Sequence, residues 1–312
     1  MSVLTPAEWL PRAQAHTARA DALTGEHRER RARGERHAVD DFLYEYYGTR
    51  PGHLRRWHPG VAVALEGTVE EVAEHASWRW YRSAVTGSGS MRVGVDVEQY
   101  VADRGDGVRH LASLLAATAS RAPSTGCFGM HEWAMVYRAG DDARRHALPL
   151  RLGAAGTDAV VEAHQIRCSH FDAFRFFTPE AVGRNRLQPT RASQVDLEQP
   201  GCLHANMDLT KVATKLGPLV PGDLALDCFE LARDIRHLDM QASPYDVSAY
   251  GLPPVAVETP EGKAEYVARQ RAFAERSAPL RARLLTVCRV ALGDAAPGVL
   301  DRPRRSSVVV DP

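Results

Sequence analysis

The chain has 312 residues, 44% hydrophobic and 25% charged, the composition of a water-soluble globular protein long enough to bury a large core. Basic and acidic residues both number 39, so no net field draws the molecule to nucleic acid or to a lipid surface, and any such contact needs a local patch. No apolar run reaches bilayer length, the N-terminus lacks the basic-then-apolar order of a signal peptide, and the five cysteines are odd in number and lack CxxC spacing, so a cytoplasmic protein without membrane span or disulfide framework is expected.

Thr5-Pro6-Ala7-Glu8 has the form of a capping box with proline at the first helical position, opening a helix through Trp9, Ala13, Ala20 and Leu23. The helix enters HRERRARGERH, residues 27 to 37, where arginines alternate with glutamates. That pattern fits a salt-bridged exposed face, and its arginine excess also fits a phosphate contact. Basic charge is almost all arginine, with lysine only at 211, 215 and 263. In HAVDDFLYEYYGTRPGHLRRWHPG, residues 37 to 60, Val39, Phe42, Leu43, Tyr46 and Tyr47 mark a helix face and Gly48 a stop. Its tail places Arg55, Arg56, Trp57 and His58 side by side. These residue types suit stacking on a base while gripping a phosphate, and equally suit a packed tryptophan edged by ion pairs. A helix is predicted over Glu70 to Arg82, ending in a second basic and aromatic cluster, SWRWYR. TGSGS, residues 86 to 90, reads as a flexible loop, and two helices, about 94 to 103 and 107 to 121, are predicted on either side of RGDG.

GCFGMHEWAMVYR, residues 126 to 138, is aromatic and apolar around His131 and Glu132. A buried ionisable pair needs a partner, so these two are either a satisfied core pair or a functional one. Position 135 is Met, which excludes the HExxH helix of a zinc protease. Two short strands forming a small β-hairpin are predicted near 148 to 168. Glu162, His164 and Cys168 would alternate onto one face, with His170 and Asp172 beyond.

The densest ordered charge lies in the run from Gly201 to Asp246, two helical segments joined by a Gly-Pro and Pro-Gly elbow. After the elbow, Leu224, Cys228, Leu231, Ile235 and Leu238 form one apolar helix face. One position back, Asp223, Asp227, Glu230, Asp234 and His237 form a row beside it. The row could bind a metal, hold an arginine from another segment or supply an acid or base. Alternatively it is a solvated face, with Asp223 capping the helix and the other acids paired to Arg233 and Arg236. A long helix follows from Glu261 to Leu292, with Tyr266, Phe273, Leu280 and Leu284 near one face. The fold class expected is mainly α, within α+β: one mostly helical domain over residues 1 to 300 and a mobile tail over 301 to 312.

There is no dinucleotide or P-loop fingerprint, no GxSxG elbow and no deaminase signature. The stretches HAVDDFLYEYYGTRPGHLRRWHPG, GMHEWAMVYR, HFDAFRFF and the central run resemble those of a bacterial family labelled 3-methyladenine DNA glycosylase, over most of residues 25 to 250. The resemblance implies a repair enzyme that binds DNA and hydrolyses the N-glycosidic bond of an alkylated purine without a cofactor. Flipping and holding the base needs aromatic groups, and cleaving the bond needs a carboxylate. Asp239, Glu132 and Asp172 are the candidate carboxylates. Arg55, Arg56, Trp57, His58, His131 and Trp133 are the candidate substrate contacts. A second expectation is a metal-dependent enzyme acting on a small molecule, its divalent ion held by ligands drawn from His131, Glu132, His164, His170, His204, Glu230, Asp234 and His237. A third is a non-catalytic helical binding protein. Oligomeric state is left open.

Overall fold

The structure, a computed structural model, describes residues 1–140 and 148–295; the expected C-terminal tail lies outside the described residues. Its mainly α fold, with a small sheet, is the α+β class expected from the sequence. The strands are β1 (Ser2–Leu4), β2 (Val63–Gly67), β3 (Tyr81–Val85) and β4 (Met91–Val95), in the order β1-β2-β4-β3; β1 runs parallel to β2 and the other pairs are antiparallel. The helices that position the site are α1 (Pro6–Ala32), α2 (Val69–Ala76), α3 (Val97–Ala119), α4 (Met130–Ala134), α5 (Gly153–Ala163), α6 (Leu203–Met207), α7 (Leu209–Leu216), α8 (Gly222–Gln241) and α9 (Pro260–Leu292).

Helix α1 begins where expected, with the reciprocal capping box of Thr5 and Glu8 formed and Pro6 in the first turn. Its Trp9 donates to the Glu66 carbonyl at 3.1 Å and lies parallel to Trp57, 6.3 Å between ring centroids. With Leu65, Val72 and Val93 these rings form a small core between sheet, α1 and α2. The main core is larger and centres on α8. Leu224, Cys228, Leu231, Ile235 and Leu238 are all 0–1% exposed, each contributing about 1.5–3 kcal/mol relative to an exposed side chain of its size. Helix α9 packs along α3 and across α8, α6 and α7, with Tyr266, Phe273, Leu280 and Leu284 buried. No helix among the described residues is long and apolar enough to cross a membrane.

Several local expectations are corrected. No hairpin forms at 148 to 168: GAAGTDAVVEA is helix α5, and Leu150 makes only an isolated bridge to Tyr245. The β preference of Val160 and Val161 is outweighed because a helix buries Val161, while the Thr157 hydroxyl bonds the Gly153 carbonyl one turn back. Glu162, His164 and Cys168 therefore share no strand face. The helix expected over 70 to 82 stops at Ala76, and the SWRWYR segment turns into β3. TGSGS is the β3–β4 hairpin turn, closed by Thr86 N–H donating to the Ser90 carbonyl at 2.8 Å, with Gly89 at φ 86°. RGDG does not divide two helices. Residues 91–95 form β4, and α3 then runs unbroken through Gly105 and Gly107. Asp223 does not cap α8; Pro221 holds the cap position, and Asp223 in the first turn binds Arg283 at 2.6 Å.

Two glycines in helices have opposite environments. Gly262, in the first turn of α9, is pressed against the backbone carbonyl of Ala256, so a methyl group there would collide with main chain, whereas Gly107 on α3 has nothing within 4 Å of its would-be Cβ. Urea unfolding is expected to show Gly262→Ala losing about 2–3 kcal/mol through overpacking and Gly107→Ala gaining about 0.5–1 kcal/mol through helix propensity. Equal and small effects at both positions would mean that the approach of residue 256 to α9 is not as described.

Candidate functional site

Three short elements converge on the buried middle of α8. The first is α4, entered through Phe128 and Gly129, whose φ angles of 49° and 71° are both left-handed. A Cβ on Gly129 would touch Ala242 at 3.3 Å and the Tyr266 ring at 3.4 Å, so glycine lets this turn lie close against its neighbours. All five residues of α4 are buried, which carries His131 and Glu132 into the interior together. Helix α6 is likewise buried along its length and presents His204, and α8 contributes Arg236 and Asp239, one turn apart.

The atoms meet closely. His131 Nε2 is 3.0 Å from Asp239 Oδ1 and 3.9 Å from Glu132 Oε1. Arg236 Nη1 donates to Asp239 Oδ2 at 3.1 Å and to Glu132 Oε1 at 3.4 Å. The other ring nitrogen of His131, Nδ1, lies 3.7 Å from Cys127 Sγ. His204 stands edge-on to His131 with ring centroids 4.4 Å apart, and His170 lies beyond it at 5.3 Å. One ligand atom each from His131, Glu132, His204 and Asp239 can be chosen so that all lie within 4.8 Å of one another.

Electrostatics separates the three imidazoles. Burial lowers the proton affinity of His131, but Asp239 and the Cys127 contact outweigh it, so its pKa is raised well above normal. Asp239 is driven the other way: burial would raise its pKa, and His131, His204 and Arg236 hold it below the usual carboxylate range. His170 is raised, burial being overcome by Asp208 and Glu198, whose carboxylates lie 3.3 and 3.5 Å from its Nε2. His204, packed between His131 and His170, is pushed down to about 3, first by burial and then by the charge of His131. The residue is 8% exposed, and no hydrogen bond to its ring is found among the described residues.

Above this cluster a narrow crevice of about 10 Å³, room for roughly one water, is lined by Phe42, Tyr46, Phe176, Glu132, His170 and His204, among others. At its rim Asp172 accepts from Lys211 at 2.7 Å and Arg191 at 3.3 Å, and Asp208 accepts from the Tyr47 hydroxyl at 2.7 Å.

The candidate residues named from sequence thus fall into three groups. His131, Glu132, His204 and Asp239 come together, with His170 and Asp172 in the adjoining layer. His164, Glu230, Asp234 and His237 are elsewhere. His164 bonds the Val160 carbonyl at 2.6 Å, and the other three, on the outer face of α8, bind Arg19, Arg276 and Asp40 at 2.6, 2.8 and 2.9 Å. The acids of the row thus pair with arginines from other helices. Among the DNA-contact candidates, Trp57 is in the small core and Trp133 is fully buried, its indole N–H donating to the Ala242 carbonyl at 2.9 Å. Arg55 pairs with Asp21 at 3.0 Å, Arg56 is exposed over the Trp78 ring, and His58 bonds the Tyr81 hydroxyl at 2.9 Å.

Arg236, Cys127, Asp208 and Lys211 were not anticipated as site residues. Arg236 was legible in principle, since it lies one turn from Asp239 on a helix whose middle is apolar on more than one side. Comparison of the chain with protein-family models, curated proteins and solved structures found no match.

Proposed function

We propose that the protein is a metal-dependent enzyme acting on a small molecule, with a divalent cation held by His131, His204, Glu132 and Asp239. The observation that carries this is His204. A buried imidazole ordinarily has a hydrogen-bond partner; this one has none among the described residues, lines the crevice, and has a ring nitrogen within 4.8 Å of ligand atoms of His131, Glu132 and Asp239. Two imidazoles and two carboxylates suit zinc, iron or manganese. Ligands at about 2.1 Å on opposite sides of an ion are about 4.2 Å apart, so a spread of 4.8 Å needs only small inward shifts. A cation there would supply Lewis acidity and a bound water acidic enough to attack near neutral pH. The rest belongs to the chain: Cys127 holds His131 Nδ1 and so leaves Nε2 facing the carboxylates, and Arg236 fixes the free oxygen of Asp239. Five free cysteines support a reducing, cytoplasmic setting.

The test is elemental analysis of protein purified without chelator, followed by titration of chelator-treated protein with zinc, manganese and ferrous ions. One equivalent bound with a Kd below about 10 μM is expected. If no ion binds in that range, the four residues are a structural ion-pair network and the proposal fails.

The glycosylase activity implied by the sequence resemblance is the second reading. It is favoured by the aromatic rim of Phe42, Tyr46 and Phe176 beside Glu132 and Asp172. Release of methylated base from alkylated duplex DNA tests it directly, and absence of release from folded, metal-loaded protein counts against it.

A further inference from the structure

A different region carries a second, independent site. The two basic and aromatic clusters, separate in sequence, are brought together in the lining of one cleft of about 280 Å³ formed by the turn at 48–54, the segment 78–80 and the elbow at 217–222. Arg50, Arg56 and Arg79 line it, and no aspartate or glutamate does. Arg50 and Arg56 are exposed and make no ion pair among the described residues. Arg79 pairs only at the solvent edge, with Asp103 at 3.1 Å, where an ion pair contributes little. His53 registers the excess positive charge: burial lowers its pKa first, and the charges of Arg56 and Arg50 lower it further.

The rings are positioned beside these cations. Arg56 stands 5.8 Å from the Trp78 centroid and Arg79 4.2 Å from that of Trp80, and both tryptophans are half-buried. Trp80 holds a left-handed backbone, φ 62°, a costly conformation for a bulky residue. Its indole N–H is bound to Asp103 at 2.9 Å, which fixes the ring. Guanidinium groups without partners form bidentate bonds to phosphate, and fixed indoles stack on planar rings.

We infer that this cleft binds a phosphate monoester carried on a planar ring, a ligand of nucleoside monophosphate size, with Arg50 and Arg56 on the phosphate and Trp78 and Trp80 at the ring. A small ligand is favoured over a polymer because the arginines line one recess, just under the roughly 300–1,000 Å³ usual for ligand pockets, and because the chain has no net charge. Helix α7 separates the cleft from the His and carboxylate cluster: its N-cap residue Asp208 lines the crevice, and its Thr210, Ala213 and Thr214 line the cleft. The site therefore stands whether or not the cluster holds a metal.

The experiment is a tryptophan-fluorescence titration of the full chain with AMP, GMP, CMP and UMP, with the matching nucleosides, inorganic phosphate and a short 5′-phosphorylated single strand as comparisons. At least one mononucleotide is expected to saturate below about 1 mM, with its nucleoside and inorganic phosphate each at least about tenfold weaker. The double substitution Arg50→Gln, Arg56→Gln is expected to weaken it at least about tenfold, as loss of charge-assisted bonds requires, with an unchanged circular dichroism spectrum. Arg56→Gln alone serves if the double variant misfolds. No binding by any mononucleotide, affinity unaffected by the substitutions, or a single strand binding more than about tenfold tighter than every mononucleotide would each overturn the inference.

Discussion

His204→Ala is expected to abolish stoichiometric metal binding, weakening affinity by at least about 100-fold, while the protein stays folded. Loss of a residue that merely orients a ligand already costs about 10–100-fold, and loss of a ligand itself costs more. The fold should tolerate the change because the ring has no hydrogen bond to lose among the described residues, only packing against His131 and His170, which sets a cost of about 2 kcal/mol. His164→Ala is the control. That histidine bonds the Val160 carbonyl outside the cluster, so its removal should leave metal content unchanged. Equal metal content in wild type and His204→Ala would remove His204 from the ligand set and with it the observation on which the proposed function rests.

Arg236→Met should have the largest effect on stability. The guanidinium is 1% exposed and bonds both Glu132 and Asp239, which are themselves 5% and 0% exposed. Removing one partner of a buried charge network leaves the others uncompensated, a loss of about 3–5 kcal/mol, although methionine preserves much of the packing against the Phe42 ring, 4.1 Å from the guanidinium carbon. Urea unfolding of the chelated protein would show this loss. A divalent ion bound by the same carboxylates supplies the missing positive charge, so adding the ion that binds wild type should restore a large part of it. A loss that metal leaves untouched would mean that the carboxylates are aimed at Arg236 alone.

How much of this was legible in the sequence depends on the length of the signal. The stripe from Leu224 to Leu238 and the capping box at Thr5 span whole helical turns, and both appear where expected. The strands are three to five residues long, and two of them adjoin helical patterns closely enough to be partly absorbed, β3 after one helix and β4 before the next. In α5 two adjacent valines outweighed the alanines around them in the sequence reading, yet burial of Val161 decides the structure. At the site, an apolar setting marked His131 and Glu132 as a pair needing a partner. That partner, Arg236, was masked because charges along an amphipathic helix read as solvated. Its neighbours Glu230, Asp234 and His237 are on the outer face, and one step around the helix reverses the environment.

Helix α8 carries both Asp239 and the stripe that organises the main core, while its outer acids bind Arg19, Arg276 and Arg283 on α1 and α9. The proposed site is therefore built into the part of the molecule expected to open last, where backbone amides should exchange with solvent only on near-global unfolding. Under the proposed function, admission of a ligand falls to the short segments around residues 42–47 and 170–176 that line the crevice. On that reading, variation confined to those segments would alter which molecules enter while leaving His131, Glu132, His204 and Asp239 in register.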